Sequence, residues 1–162
     1  MRILDKDRNY IIEDGVLKLP LGAAGYQGYA LTDAEHVGLA DIAWRISNGY
    51  VMGFKNGKNV RLHRLVMDAK PGEVVDHISH DLLDNRSSNL RICTTAENMR
   101  NIKKDKLKGV SFYKRDSKWS AYITFDYKKI HLGYFETAEQ AAKRYDEKAK
   151  ELYGEFACLN FV

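Results

Sequence analysis

Residues 109–136 alternate apolar and polar side chains through three short runs, GVSFYKR, KWSAYITFD and KIHLGYFE, and a helix signal follows at once. Period-two alternation repeated three times across short polar breaks is the pattern of an antiparallel sheet with one buried face. Val110, Phe112, Trp119, Ala121, Ile123, Ile130 and Leu132 are expected on that face. Ser111, Tyr113, Arg115, Lys118, Ser120, Tyr122, Thr124, Lys129 and His131 then fall on the other. Thr137 and Gln140 stand at capping-box spacing. Ala138, Ala141, Ala142, Tyr145, Ala149 and Leu152 share one helical stripe, which Gly154 is placed to end. Alanines allow such a helix to lie close on a sheet. The C-terminal third is therefore expected to be a three-stranded antiparallel sheet packed on one α-helix.

Upstream, EVVDH reads as a strand, ISHDLLDNRSS as a polar loop and NLRIC as the returning strand. Thr94 with Glu97 forms another capping box, so a helix is expected from about Thr95. Asp76 and Asn98 offer hard oxygen ligands for Mg²⁺ or Mn²⁺, and His77 offers a base that titrates near neutrality. An isolated Asp-His pair is ordinarily a surface feature, and asparagines are common turn formers. The combination with Asn89, Leu90, Arg91 and Asn98 outweighs that reading. Arg86, Arg91 and Arg100 are candidates to grip phosphate. Asn85 and Asn101 are expected to brace the loop and helix, His80 to be exposed, and His63 to be structural on a strand, with a place for His63 and Arg64 near the site left open.

Residues 1–72 read as mixed short strands with one helix. IIEDGVLKLP and GYALTD look like strands separated by Gly22, Gly25 and Gly28. Thr32 or Asp33 would cap a helix carrying Val37, Leu39, Ile42 and Ala43. YVMGFKNGKNVRLHRLVM looks like a hairpin turning at Asn56-Gly57, with Val60, Leu62, Leu65 and Val66 toward a core.

Charge separates the chain. The formal net charge is +4 over 162 residues, but residues 99–133 alone carry ten Lys and Arg against three Asp. Residues 134–162 carry four basic against six acidic groups. A basic strip beside an acidic helix suits a polyanion on one face. The connector RNIKKDKLK, with Lys103 and Lys104, is expected to touch phosphate. Two cysteines, Cys93 and Cys158, with no C-x-x-C pair argue against a zinc knuckle or disulfide framework. No apolar run suits a membrane span and the first residues carry no signal-peptide pattern, so a cytoplasmic protein is expected, in host cytoplasm if phage-encoded.

On Asp76, His77, Asn89, Leu90, Arg91 and Asn98 the chain resembles the HNH endonuclease family, in the variant whose last histidine is asparagine. The resemblance covers about the first hundred residues and implies a ββα-metal (His-Me finger) unit. That fold brings Asp76 and His77 at a strand end against Asn98 on the helix. It also gives Asn89 the family's middle position, holding the loop and orienting His77. Asparagine in the last position favours Mg²⁺ or Mn²⁺ over Zn²⁺. A second resemblance rests on Gly109-Val110, Lys118-Trp119, Leu132-Gly133-Tyr134-Phe135, Ala141-Ala142, Tyr145-Asp146 and Leu159-Asn160-Phe161. These residues are similar to the plant Apetala/ethylene-response-factor DNA-binding domain. That family docks its sheet in the DNA major groove. Here Ser111, Tyr113, Tyr122 and His131 stand at several of its base-reading positions, which implies a different target.

The chain is accordingly expected to be α+β, with an HNH nuclease domain over 1–103 (ββα-metal core 73–103) and an Apetala-type domain over 104–162. It is expected to hydrolyse phosphodiester bonds of double-stranded DNA with Mg²⁺ or Mn²⁺, as a site-preferring nickase resembling phage and mobile-element homing endonucleases. His77 and Asn89 would be catalytic, and Asp76 and Asn98 metal ligands. Arg86, Arg91, Arg100, Lys103, Lys104, Ser111, Tyr113, Arg115, Lys118, Tyr122, Thr124, Lys129 and His131 would face DNA. One site per chain suits a monomer, although dimerisation would permit cutting of both strands. The competing expectation is a non-catalytic DNA-binding regulator on a degenerate HNH fold.

Overall fold

Tight turns with left-handed backbone set the topology of the first part of the chain. The computed structural model describes residues 2–5, 10–22, 27–103 and 105–161. The chain forms two compact units, Met1–Thr94 and Thr95–Val162. Gly25 and Lys104 lie outside the described residues.

In the first unit, β1 (Arg2–Asp5), β2 (Tyr10–Glu13), β3 (Val16–Pro20) and β4 (Tyr29–Asp33) form an antiparallel sheet in sequence order. β5 (Arg45–Ser47), β6 (Tyr50–Lys55) and β7 (Lys58–Arg61) form a second, with the expected turn at Asn56-Gly57. The core comprises Tyr10, Leu17, Leu19, Leu21, Ala30, Trp44, Val51 and Leu62. Gly53 lies against it: a Cβ there would stand 2.6 Å from Ile42 and 2.9 Å from Trp44.

Two local expectations give way. Residues Ala34–Asp41 are a 3-10 segment kinked at His36 rather than an α-helix. Asp33 holds the N-cap position without capping, because its carboxylate accepts the Ser87 N–H at 2.7 Å instead. Residues beyond β7 turn into a single helical turn, α1 (Leu62–Val66), so His63 is helical rather than on a strand. Five residues are too short for helical periodicity to stand out from the preceding alternation. Leu62 is nevertheless core, with Val60, Leu65 and Val66 packed against it as expected.

β8 (Val74–His77) and β9 (Leu90–Cys93) pair antiparallel, placing Asp76 opposite Arg91 and His77 opposite Leu90. The loop between them is fastened to β4. Leu31 donates to the Leu83 carbonyl at 2.8 Å, and Asn85 donates to the Leu31 carbonyl at 2.7 Å. The N-terminal sheet thus supports the loop of the motif directly.

The second unit begins with α2 (Thr95–Asn101). It continues as an antiparallel sheet of β10 (Val110–Tyr113), β11 (Lys118–Phe125) and β12 (Lys128–Phe135), with α3 (Ala138–Tyr153). Thr137 and Gln140 form the expected capping box. Ala141, Ala142, Tyr145 and Ala149 are buried, and Ile123 packs with Tyr145 and Ala149. Asp146 accepts the Asn160 and Phe161 backbone N–H groups at 2.8 and 3.0 Å, and so fastens the C-terminal tail to α3. Gly109 approaches too closely for any side chain: a Cβ would lie 2.0 Å from Tyr145 and 2.5 Å from the Tyr122 carbonyl oxygen.

A bulge changes the outer face of this sheet. Ala121 pairs with Gly133 and Tyr122 with His131, so Leu132 is the extra residue of β12. The alternation beyond it inverts and Tyr134, opposite Ser120, is exposed. Phe112, expected inside, is 48% exposed on edge strand β10, with its ring 5.1 Å from Trp119. The apolar core of this unit is built instead around Ile123, Ile130 and Leu132 against α3. The overall architecture is mixed α+β with several small antiparallel sheets.

Candidate active site and DNA-facing surface

His77 closes β8 with its side chain buried. Asn85 Nδ2 donates to the Leu82 carbonyl at 3.2 Å, which turns Asn85 Oδ1 toward His77 Nε2 at 3.3 Å. In that pairing Nε2 carries the proton and Nδ1 the basic lone pair. Burial lowers the His77 pKa, opposed by the Asn85 hydrogen bond and the nearby Asp76 charge. The imidazole is consequently neutral at neutral pH, the state in which it can accept a proton.

Asp76 is also buried, and both Arg91 Nε and Nη2 donate to its Oδ2, at 2.9 and 2.7 Å. The Arg91 side chain is itself only 10% exposed, so this cation is not a solvated surface group. It balances the Asp76 charge within a buried ion pair. Asn89 secures the loop at two points. Its Oδ1 accepts the Ser79 N–H at 2.9 Å and its Nδ2 donates to the Asp84 carbonyl at 2.8 Å. Arg86 chelates Asp84 through Nε and Nη2 at 2.8 and 2.6 Å, holding that carboxyl below the usual carboxylate range.

Two aromatic rings stand beside His77, and of these only His63 carried any expectation of lying near the site. The His63 ring meets it edge to face with centroids 5.1 Å apart, and the Tyr50 ring lies 5.4 Å from His63. His63 is buried and its Nδ1 finds no hydrogen-bond partner; burial, with the His77, Arg61 and Arg64 charges, pushes its pKa down to about 3. The only prior signal was its place in LHR, close ahead of the motif. Arg64 donates to the Ala69, Lys70 and Glu73 carbonyls at 3.2, 2.8 and 2.6 Å, shaping the turn that leads into β8.

The first unit therefore brings together Asp76, His77, Asn85, Asn89 and Arg91. Asn98 and Arg100 are carried by α2 in the second unit, where the Arg100 guanidinium lies 4.9 Å over the Tyr153 ring. Taken singly, the Asp76 carboxylate in the first unit and the Asn98 amide in the second each offer a hard oxygen of the kind a divalent cation that keeps most of its waters accepts. Among the described residues, a separate grouping of Asp33, Glu35 and His36 has ligand atoms within 4.8 Å of one another.

On the second unit, the outer face of the sheet is aromatic and basic. His131 bonds Ser120 at 3.1 Å, and the Tyr134 ring packs against His131 and Tyr113 with centroids 4.6 and 5.4 Å away. Lys129 Nζ sits 3.8 Å over the Tyr122 ring, and the Arg115 guanidinium 5.2 Å over Tyr113. Lys118 pairs with Glu136 at 3.4 Å. Ser111, Thr124 and Lys103 are exposed. Tyr134 belongs to this face and was missed because the bulge is silent in simple alternation.

Residues 60–100, from β7 through most of α2, match the family model of the HNH endonucleases. An uncharacterized HNH endonuclease of Acanthamoeba polyphaga mimivirus is 32% identical over 167 residues, covering 95% of this chain and 86% of its own length. This chain belongs to the HNH endonuclease family. Part of it is also similar to plant proteins, one of them named as a transcription factor. An AP2-like ethylene-responsive factor of Arabidopsis thaliana is 40% identical over 60 residues, and an APETALA2-like protein of Oryza sativa subsp. indica 41% over 54. Each match spans 12% of the plant protein, against 37% and 33% of this chain. No solved structure matches. Among the described residues, no helix is long and apolar enough to cross a membrane.

Proposed function

We propose that the chain is a divalent-metal-dependent endonuclease that nicks double-stranded DNA, cutting with its N-terminal HNH domain and docking through an Apetala-type sheet in the major groove. The observation that carries this reading is the buried, neutral His77 held by Asn85 beside a charge-balanced Asp76. His77 Nδ1 takes a proton from the attacking water; the water oxygen bonds to phosphorus as the P–O3′ bond breaks, and the 3′ oxygen leaves. Asn85 fixes the tautomer. Asn89 holds the loop, and Arg91 orients Asp76. Asp76 and Asn98, in a ββα-metal arrangement spanning residues 73–103, would hold Mg²⁺ or Mn²⁺. When bound, such an ion neutralises charge on the scissile phosphate and leaving oxygen.

Arg86 and Arg100, with Lys103 and Lys104 of the connector, would contact phosphate. Ser111, Tyr113, Arg115, Lys118, Tyr122, Thr124, Lys129 and His131, joined by Tyr134, would face the groove. One site per chain implies single-strand cleavage by a monomer.

The test is a supercoiled-plasmid assay with Mg²⁺, Mn²⁺ or EDTA, run beside His77→Ala. Open circles formed only with metal and only by the unsubstituted chain are expected. Cleavage retained by His77→Ala would refute the base assignment. Binding without cleavage under every metal condition would favour the non-catalytic DNA-binding reading.

A further inference from the structure

Among the described residues, four hairpins turn through two residues that both have positive φ. Asp14-Gly15 (φ 48 and 79), Asn48-Gly49 (51 and 80) and Asn56-Gly57 (50 and 78) are Asx-Gly pairs. That is the composition this turn class demands, since the second position disfavours any Cβ. The β11–β12 turn departs from it: Asp126-Tyr127 has φ of 48 and 59 with tyrosine in the glycine position. A bulky residue in left-handed backbone is strained. Packing does not offset that strain, because Tyr127 is 101% exposed. Asp126 to Lys129 are all exposed, and the turn is anchored at its base, where the Tyr153 hydroxyl of α3 donates to the Thr124 carbonyl and the Tyr153 ring lies 6.3 Å from that of Phe125. Lys128 and Lys129 follow the ring directly, within the most basic stretch of the chain.

We propose that Tyr127 is an aromatic wedge that stacks on a base or sugar of duplex DNA at the end of the sheet's docking face. The flanking lysines supply phosphate contacts and the strained turn holds the ring outward. Aromatic stacking on nucleic acid tolerates any sequence, because every base presents a π-face. The wedge thus adds affinity and register where the polar outer face reads base edges. This rests on the proposed DNA docking of the second unit.

Stability and binding should move in opposite directions. Tyr127→Gly restores the composition of the other three turns and is expected to raise the melting temperature by roughly 2–4 °C. The same substitution in the full chain is expected to weaken binding to a short mixed-sequence duplex at low salt by about fivefold or more. Tyr127→Phe keeps the ring and should bind as the unsubstituted chain does. A fluorescent base analogue in the duplex should lose its stacking signal with Tyr127→Gly alone. Unchanged affinity in Tyr127→Gly, or equal loss in Tyr127→Phe, would overturn the wedge and leave the docking reading intact. A lowered melting temperature in Tyr127→Gly would do the same, since it would mean that the ring stabilises its own unit. An unsubstituted chain that binds no duplex would overturn both.

Discussion

Acidification should loosen the first unit through His63, by an amount that follows from its burial. The ring is 3% exposed, its Nδ1 has no hydrogen-bond partner, and its folded pKa is about 3. In the unfolded chain the same imidazole titrates near 6.5. Below that value the unfolded state binds a proton that the folded state refuses. His63 therefore contributes full stability above pH 6.5, lost progressively as pH falls toward its folded pKa. At pH 5 the folded ring is still neutral, so the unfolded value alone sets the loss, about 2 kcal/mol relative to pH 7.5. His77, lowered by burial as well, acts in the same direction. The assay is urea unfolding at the two pH values, following fluorescence of buried Trp44 in a Trp119→Phe background. His63→Leu should reduce the pH-dependent loss by about 2 kcal/mol whatever its baseline stability. Parallel losses in the parent and His63→Leu would refute the reasoning, because a ring that protonates freely when folded gives no linkage.

Gly109→Ala places a methyl 2.0 Å from the Tyr145 ring on a backbone of φ +71, and should destabilise the second unit by about 2–4 kcal/mol in thermal unfolding. A change near zero would mean that the β10–α3 contact is not tight. Asn85→Ala removes the partner of His77 Nε2, and is expected to lower kcat for nicking roughly ten- to hundredfold with little change in KM. A rise in KM at unchanged kcat would instead place Asn85 in substrate binding.

Much of the second unit was legible because its signals are local and agree with one another. The alternating strands, the Thr137/Gln140 box and the alanine stripe each demand the same sheet-on-helix packing, and the structure has it. The bulge at Leu132 was not legible: one extra residue leaves local composition unchanged while inverting every side chain beyond it. Tyr134 was lost to the outer face for that reason. Asp33 misled in a different way. As a helix-capping residue it was sound by local rule, but a backbone N–H from a loop 54 residues away took its carboxylate. Propensity does not register a competitor that distant.

The candidate site divides along the same line. Asp76, His77 and Asn89 were visible because they fall within one hairpin at fixed spacing. The Asp76–Arg91 pair follows from strand register alone, since the two residues are cross-strand partners. The environment of His77 was legible only in part: His63 stood close ahead of the motif in sequence, whereas Tyr50 comes from β6, a strand with its own reason to exist. A buried imidazole with an unmet nitrogen is a cost that a core of leucines would avoid. That cost lies directly against the ring of the proposed base. β6 sets the Tyr50 ring beside His63 and His77, and β4 holds the motif loop through hydrogen bonds of Leu31 with Leu83 and Asn85. The isolated hairpin of residues 74–93 would lack both, so the nuclease chemistry proposed here draws on the whole first unit.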